Sequence, residues 1–274
     1  MAEYFEPAEE VAARAKELKS FKMDFFGLKN KVAIVTGGNT GLGQAYVVAL
    51  AEAGADIYVP TFAQEGWDET RALVESKGRR VEFEQVDLTK DGAAESVVKN
   101  ALRTFQRIDI LVNNAGMIRR NPLLESKDAD WDAVMNINLN AVYHLSMAVL
   151  PVFAEQESGK IINIASMLSY FGGKFVPSYT ASKHGVAGLT KALASEASAF
   201  NVQVNAIAPG YIATSNTAPI RADEARNAEI LNRIAAGHWG ETKELMGGIV
   251  FLASAASNYI TGTILPIDGG YLVR

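Results

Sequence analysis

Val32-Ala-Ile-Val-Thr-Gly-Gly-Asn-Thr-Gly-Leu-Gly43 decides how the chain folds. Its first five residues, Val32–Thr36, are an apolar run with the composition of a strand buried on both faces. Gly37, Gly41 and Gly43 follow, and the amphipathic stretch Gln44–Glu52 reads as a helix. The glycines therefore fall on a strand-to-helix turn, where backbone N–H groups and the helix N-terminus attract phosphate. The spacing is G-x-x-x-G-x-G rather than G-x-G-x-x-G, and a plain tight turn is the competing reading of this motif alone.

Outward from this turn, short apolar runs alternate with longer helical patterns. Strands are expected at Val32–Thr36, Asp56–Pro60, Val81–Val86, Ile108–Asn113, Lys160–Ala165, Val202–Ile207 and Thr263–Ile267. That rhythm builds βαβ units with right-handed crossovers and predicts a doubly wound α/β sheet with its ligand crevice at the strands' carboxyl ends. The sequence shows no internal repeat, no low-complexity tract and no linker between domains, so residues 28–274 read as one domain. Residues 1–27 read as an N-terminal helical extension, with an amphipathic helix over Glu3–Lys19. Thr214–Gly240 breaks the rhythm after Pro209-Gly210 and is polar and helix-prone. It lies where a substrate lid would sit, a peripheral insertion being the alternative.

Composition narrows the function classes. With 49% hydrophobic residues in 274, the chain can bury a sizeable core. A net charge of −5 offers no basic footprint for nucleic acid. There is no cysteine, hence no disulfide, which fits a reducing compartment. Met1–Lys31 is charged and interrupted throughout, which argues against a signal peptide, and no membrane span is expected. A cytoplasmic location is the expectation. His144, His184 and His238 are scattered without ligand spacing, so no metal is expected.

Proton chemistry is suggested by Tyr179 and Lys183 in P-S-Y-T-A-S-K, downstream of Ser166. On a helix, residues four apart share a face. An ammonium beside a phenol favours the phenolate. For Tyr179 to exchange a proton near pH 7 from a start near ~10 requires about 4 kcal/mol of differential stabilisation. Ser166 closes the apolar run Ile161–Ala165, so its hydroxyl can face the crevice and donate to a reacting oxygen.

T-G-G-N-T-G-L-G at 36–43, N-N-A-G at 113–116, Asn138 in N-I-N-L, Ser166, Y-x-x-x-K at 179–183 and Pro209-Gly210 stand in a telling order. From about residue 28 to the C-terminus the chain resembles the short-chain dehydrogenases/reductases. The resemblance implies a single-domain Rossmann-like doubly wound parallel sheet of about seven strands with helices on both faces. It also implies hydride transfer between a nicotinamide dinucleotide and an alcohol or ketone carbon. Tyr179 would be the acid/base, Lys183 with the charged nicotinamide of the oxidised cofactor the source of its lowered pKa, and Ser166 the polarising donor. Asn138 would hold, through its backbone, a water linked to Lys183. The resemblance further implies a homotetramer, with the Ser182–Phe200 helix and the tail D-G-G-Y-L-V-R as interface elements, although the composition of that helix suits a core helix equally well.

Cofactor contacts follow from the same positions. Gly37, Asn39, Gly41, Leu42 and Gly43 would face the pyrophosphate side, Asp87 and Leu88 the adenine, and Asn114, Ala115 and Gly116 the adenosine side. Tyr179 and Lys183 would reach the nicotinamide ribose, flanked by Pro209, Gly210, Ile212 and Thr214. The second strand ends in Pro60-Thr61-Phe62 without the acidic residue that usually marks NAD. Yet residues 39 and 40 are Asn and Thr, with no cation for a 2′-phosphate. The reading favours NAD(H) and leaves NADP(H) open.

A narrower resemblance concerns the substrate. G-M-I-R-R at 116–120, N-I-A-S-M-L-S at 163–169, A-P-G-Y-I-A-T-S-N-T at 208–217 and R-A-D-E-A-R-N-A-E-I-L-N-R-I at 221–234 are similar to the 2-dehydro-3-deoxy-D-gluconate 5-dehydrogenase branch of the family. That branch acts on keto-deoxy sugar acids from uronate breakdown, including 4-deoxy-5-hexoseulose uronate. A sugar acid needs a carboxylate anchor, and the planar guanidinium of Arg119, Arg120 or Arg221 suits it, with Lys174 and His238 as weaker candidates. Gluconate 5-dehydrogenase and 3-oxoacyl reductase share the core motifs. A non-enzymatic dinucleotide redox sensor is a further reading, against which the intact Asn138, Ser166, Tyr179 and Lys183 set argues.

Overall fold

The structure, a computed structural model, describes residues 7–19 and 22–274. Its centre is a seven-stranded sheet of order β3-β2-β1-β4-β5-β6-β7 in which every pairing is parallel. The strands are β1 (Val32–Val35), β2 (Asp56–Thr61), β3 (Val81–Gln85), β4 (Ile110–Asn113), β5 (Gly159–Ile164), β6 (Val202–Pro209) and β7 (Ile264–Ile267). All seven expected strands are present. β1 ends one residue early because Thr36 turns its hydroxyl to the backbone after β4, while β6 runs on to Pro209.

The helices are α1 (Ala8–Lys19), α2 (Gly41–Glu52), α3 (Trp67–Glu75), α4 (Ala93–Phe105), α5 (Asp128–Met135), α6 (Ala141–Gln156), α7 (Pro177–Ala197), α8 (Ala218–Ala222), α9 (Glu224–Arg233) and α10 (Met246–Ala253). Successive strand residues face opposite sides, which sorts the core into two layers. Ala33 and Val35 pack with α2, α3 and α10, whereas Val32 and Ile34 pack with α4, α6 and α7. Strands buried on both faces need continuous apolar runs, which is why they were legible in the sequence. The run Asp128–Gln156 is apolar and long enough for a membrane span by composition. Here it is α5, a π-helical turn at Asn136–Asn140 and α6, whose Leu145, Val149 and Phe153 are buried against the sheet.

The expected N-terminal helix is found as α1, and residues 3–6 of that expectation lie outside the described residues. The segment Thr214–Gly240 holds a 3₁₀ turn at Ser215–Thr217 followed by α8 and α9, and Ile212 bridges to Gly240 at its base.

At the amino end of the sheet, Asp109 is almost fully buried and closes the entry to β1. It accepts from the Val32 N–H at 2.9 Å, from Arg107 at 2.8 and 2.6 Å, and from Lys31 at 3.0 Å. Burial alone would raise its pKa, but these three partners outweigh it and hold the carboxyl below its ordinary range. Asp109→Ala strands the buried Val32 N–H, whereas Lys31 and Arg107 can return to water. We expect a loss of about 2–3 kcal/mol in denaturant unfolding. Because the folded pKa is depressed, this contribution is complete above ~pH 4, the unfolded carboxyl's range, and is lost as pH falls through the folded value. The variant should therefore show a flatter stability profile on acidification.

Candidate active site

A cleft of about 780 Å³ opens at the carboxyl ends of the strands, across the point between β1 and β4 where the chain reverses its winding. Its floor on one side is the glycine turn. Gly37 and Gly41 have φ of 60° and 57°, in the left-handed region that favours glycine. A Cβ on Gly43 would sit 2.1 Å from the Gly37 carbonyl oxygen, so α2 can approach the turn only because that side chain is absent. Thr36 and Asn114 knit the turn to β4. The Thr36 hydroxyl accepts from the N–H groups of Asn114 (2.9 Å) and Ala115 (2.8 Å), and the Asn114 amide donates to the Thr36 (2.9 Å) and Gly37 (3.2 Å) carbonyls.

All the residues predicted to contact a dinucleotide line this cleft: Gly37, Asn39, Gly41, Leu42 and Gly43; Asp87 and Leu88; Asn114 to Gly116; Tyr179 and Lys183; and Pro209, Gly210, Ile212 and Thr214. The Asn39 side chain is committed to the loop after β2. It donates to the carbonyls of Ala63 (3.3 Å) and Glu65 (2.7 Å) and accepts from the Thr61 hydroxyl at 2.7 Å. Asn39 thus shapes the wall beside Phe62, a ring left 74% exposed at the cleft.

Tyr179 and Lys183 stand on the first two turns of α7, with the Lys183 Nζ 5.5 Å from the centre of the Tyr179 ring. Lys183 is only 5% exposed, and its ammonium donates to the Ile164 carbonyl, at the end of β5, at 2.6 Å. Burial pulls its pKa down to about 8. Ser166 caps the 3₁₀ turn Met167–Ser169: its Oγ accepts from the Leu168 N–H at 3.1 Å, and it lines the cleft with Tyr179, whose pKa it lowers.

The protein by itself does not lower the Tyr179 pKa, so the expected shift falls to the charged nicotinamide of the oxidised cofactor. Burial raises the Tyr179 pKa, and this outweighs the lowering by Ser166 and by the Arg120 charge. Desolvation of the ring is a property of the packed site that residue spacing does not display.

Asn138 is fully buried behind the cleft wall rather than on it. It occupies the π-helical turn, a local widening common at functional sites. Its side chain clamps the loop after β4, accepting from the Met117 N–H (2.8 Å) and donating to the Met117 carbonyl (3.0 Å). It also donates to the Ser182 hydroxyl (3.1 Å), which in turn donates to the Tyr179 carbonyl (2.8 Å). The bond from Asn138 to Ser182 on α7 thereby fixes the helix bearing Tyr179 and Lys183.

The three candidate arginines separate. Arg120 lines the cleft, donates to the Asn216 carbonyl at 3.3 Å, and carries charge that acts on Tyr179. Arg119 leaves the cleft and pairs with Asp130 at 3.6 Å. Arg221 donates to the Thr214 carbonyl at 3.1 Å from outside the lining, so neither it nor Arg119 is placed as a cleft anchor. An irregular loop points consecutive side chains different ways, and only coordinates separate Arg119 from Arg120. Lys174 and His238 are likewise outside the lining. Among the described residues no group of three or more His, Cys, Asp and Glu side chains could hold a metal. Sequence reasoning missed Thr36 and Ser182, whose hydroxyls act through neighbours. It also missed Met117, Ile118, Met167 and Leu168, which together with Tyr211 and Ile220 give the cleft an apolar wall.

Residues 31–225 match the family described as short chain dehydrogenase. The chain belongs to that family. It is 52% identical over 250 residues to 2-dehydro-3-deoxy-D-gluconate 5-dehydrogenase of Escherichia coli, covering 91% of this chain and 98% of that protein. It is 49% identical over 259 residues to the uncharacterized oxidoreductase YgcW of Escherichia coli, covering 94% and 99%. A solved structure from Agrobacterium tumefaciens, provisionally named a 2-deoxy-D-gluconate 3-dehydrogenase and holding NADP, superposes with a TM-score of 0.84. It shares 46% identity and covers 91% of this chain and 99% of that one.

The protein is therefore an oxidoreductase acting on CH–OH groups, and its cleft fits a nicotinamide dinucleotide. The cradle that a Cβ would fill is open at Gly41 and closed to any side chain at Gly43. Gly43→Ala should push α2 off the turn and weaken NADH binding about ten-fold or more, read by nucleotide fluorescence titration, with the overall far-UV spectrum kept.

Proposed function

We propose that the protein is an NAD(H)-dependent reductase and dehydrogenase of a keto-deoxy sugar acid, of the type 4-deoxy-5-hexoseulose uronate to 2-dehydro-3-deoxy-D-gluconate, in uronate catabolism. Arg120 carries this reading. It places a guanidinium in the cleft beside Tyr179 and under the carbonyl of Asn216, a position suited to a substrate carboxylate whose carbonyl faces the phenol. The named relatives support the same substrate class.

A bound nicotinamide dinucleotide would supply or accept the hydride. Tyr179 gives its phenolic proton to the substrate carbonyl oxygen in reduction and takes the hydroxyl proton in oxidation. Ser166, which lines the cleft with Tyr179, donates to that oxygen and holds it in line. Lys183, oriented by the Ile164 carbonyl, keeps a positive charge near the ring and stabilises the phenolate between turnovers. Asn138 keeps α7 and the Met117 loop in register, and its π-turn backbone is the candidate seat of a water that re-protonates the site through Lys183.

NAD(H) is favoured because the cleft beside the end of β2 is lined by Thr40, Thr61, Phe62, Ala63, Asp87 and Thr89, with no cation for a 2′-phosphate. Hydrogen bonds from the Thr89 hydroxyl and N–H hold the Asp87 pKa below its usual range, and Lys90, 3.8 Å from that carboxylate, is already paired with it. The domain reading of 28–274, with a lid over 214–240 and an extension over 1–27, is retained as part of the proposal. So are a cytoplasmic location and a homotetramer built on α7 and the C-terminal tail.

The decisive experiment follows NADH and NADPH oxidation with 4-deoxy-5-hexoseulose uronate, 5-ketogluconate and an acetoacetyl thioester. Turnover concentrated on the deoxy-uronate with NADH is expected. A preference for the thioester with NADPH would replace the substrate reading. Arg120→Gln should raise KM for the sugar acid by about 10- to 100-fold, the worth of hydrogen bonds to a charged group, and leave an uncharged ketone unaffected.

A further inference from the structure

Rings from four distant points of the sequence meet behind the lid. Phe171 follows β5, Tyr211 follows β6, Trp239 ends the lid segment and Tyr271 opens the C-terminal 3₁₀ turn Tyr271–Val273. Tyr211 packs edge-on to Tyr271 at 5.1 Å and to Trp239 at 5.2 Å, and Phe171 stacks on Tyr271 at 5.8 Å. Arg233, the last residue of α9, sets its guanidinium 4.3 Å from the Tyr271 ring centre and 5.0 Å from that of Phe171. Tyr271 is 7% exposed and shares a buried cluster with Ile230, Ile234 and Met167.

The C-terminal turn is itself held firmly. The Asp268 carboxylate accepts from the N–H groups of Gly270 (2.9 Å) and Leu272 (2.8 Å). Gly269 and Gly270 have φ of 62° and 80°, and a Cβ on Gly270 would meet the Ala235 Cβ at 2.8 Å. The Ala236 N–H donates to the Gly269 carbonyl at 2.9 Å, which ties the turn to the segment after α9. On its other side, a Cβ on Gly210 would lie 2.5 Å from the Asp268 Cα, so the turn also abuts the loop after β6. Gly210 and Tyr211 of that loop line the cleft. A ten-residue helix such as α9 is marginal alone and takes its position from what it packs on.

We propose that Tyr271 is a positioning residue for substrate. Gripped by Arg233 and Phe171, it fixes α9 and Tyr211 and thereby sets the shape of the inner cleft. The C-terminal tail acts within its own chain to seat the lid, and its effect falls on substrate affinity rather than on proton transfer or dinucleotide binding. The kinetic part of this claim rests on the sugar-acid reading, whereas the structural part does not.

The test compares Arg233→Met, Arg233→Lys and Tyr271→Leu with the parent protein. Amide hydrogen exchange across 224–233, NADH affinity by fluorescence, and steady-state kinetics with 4-deoxy-5-hexoseulose uronate are measured on each. Arg233 is exposed, so its replacement leaves the core intact even if Tyr271→Leu fails to fold. Removing the cation from the two rings should speed exchange in α9 and raise KM, each about five-fold, with kcat and NADH affinity within about two-fold and partial rescue by Lys. Unchanged exchange and KM in Arg233→Met would overturn the proposal, as would a matching loss of NADH affinity. If the parent protein does not turn over the sugar acid, the substrate reading falls, and exchange in α9 alone decides the clamp.

Discussion

The site is organised by one buried cation. Lys183 sits in the interior with its ammonium on the Ile164 carbonyl, and a charge in that position is costly unless its surroundings are fixed around it. Everything nearby serves that fixing. The carbonyl at the end of β5 orients the ammonium, the bond from Asn138 to Ser182 pins the helix that carries it, and Ser169 donates to the Lys183 carbonyl at 2.7 Å. The same burial that lowers the Lys183 pKa raises that of Tyr179, so the pair faces opposing shifts from a shared cause. The charge of Arg120 and the reach of Ser166 already work against the phenol's upward shift. A cationic partner at the ring would extend that effect at the moment proton transfer needs it.

The sheet supplies the precision. Parallel strands end together, and the reversal between β1 and β4 opens a crevice there without any dedicated domain. Thr36 and Asn114 stitch the two strand ends together across that crevice, which keeps the glycine turn from collapsing into it. The floor of the cleft is thus backbone held by the Thr36 and Asn114 side chains, while its apolar wall is built of side chains from the loops after β4, β5 and β6 together with Ile220 of α8.

Much of this was legible in the sequence for identifiable reasons. Strands buried on both faces must be continuously apolar, so all seven stood out, with boundaries shifting by a residue or two at most of their ends. Tyr179, Lys183 and Ser166 were legible because a helical period and a strand end leave marks in the order of residues. The direction of the Tyr179 shift was hidden, since desolvation depends on atoms contributed by remote segments. The contrast between Arg119 and Arg120 was hidden because an irregular loop has no period. The ring cluster around Tyr271 joins residues 171, 211, 233, 239 and 271, and no local pattern links them.

Tyr179 moves the proton in a site whose dinucleotide cleft stands independently of that hydroxyl. Stopped-flow NADH oxidation by Tyr179→Phe, beside a direct NADH titration, tests it. NADH affinity should be unchanged and the oxidation rate reduced by about 10²- to 10⁴-fold, the usual worth of a positioned general acid. Retained turnover at normal NADH affinity would contradict it and move the proton source to another group.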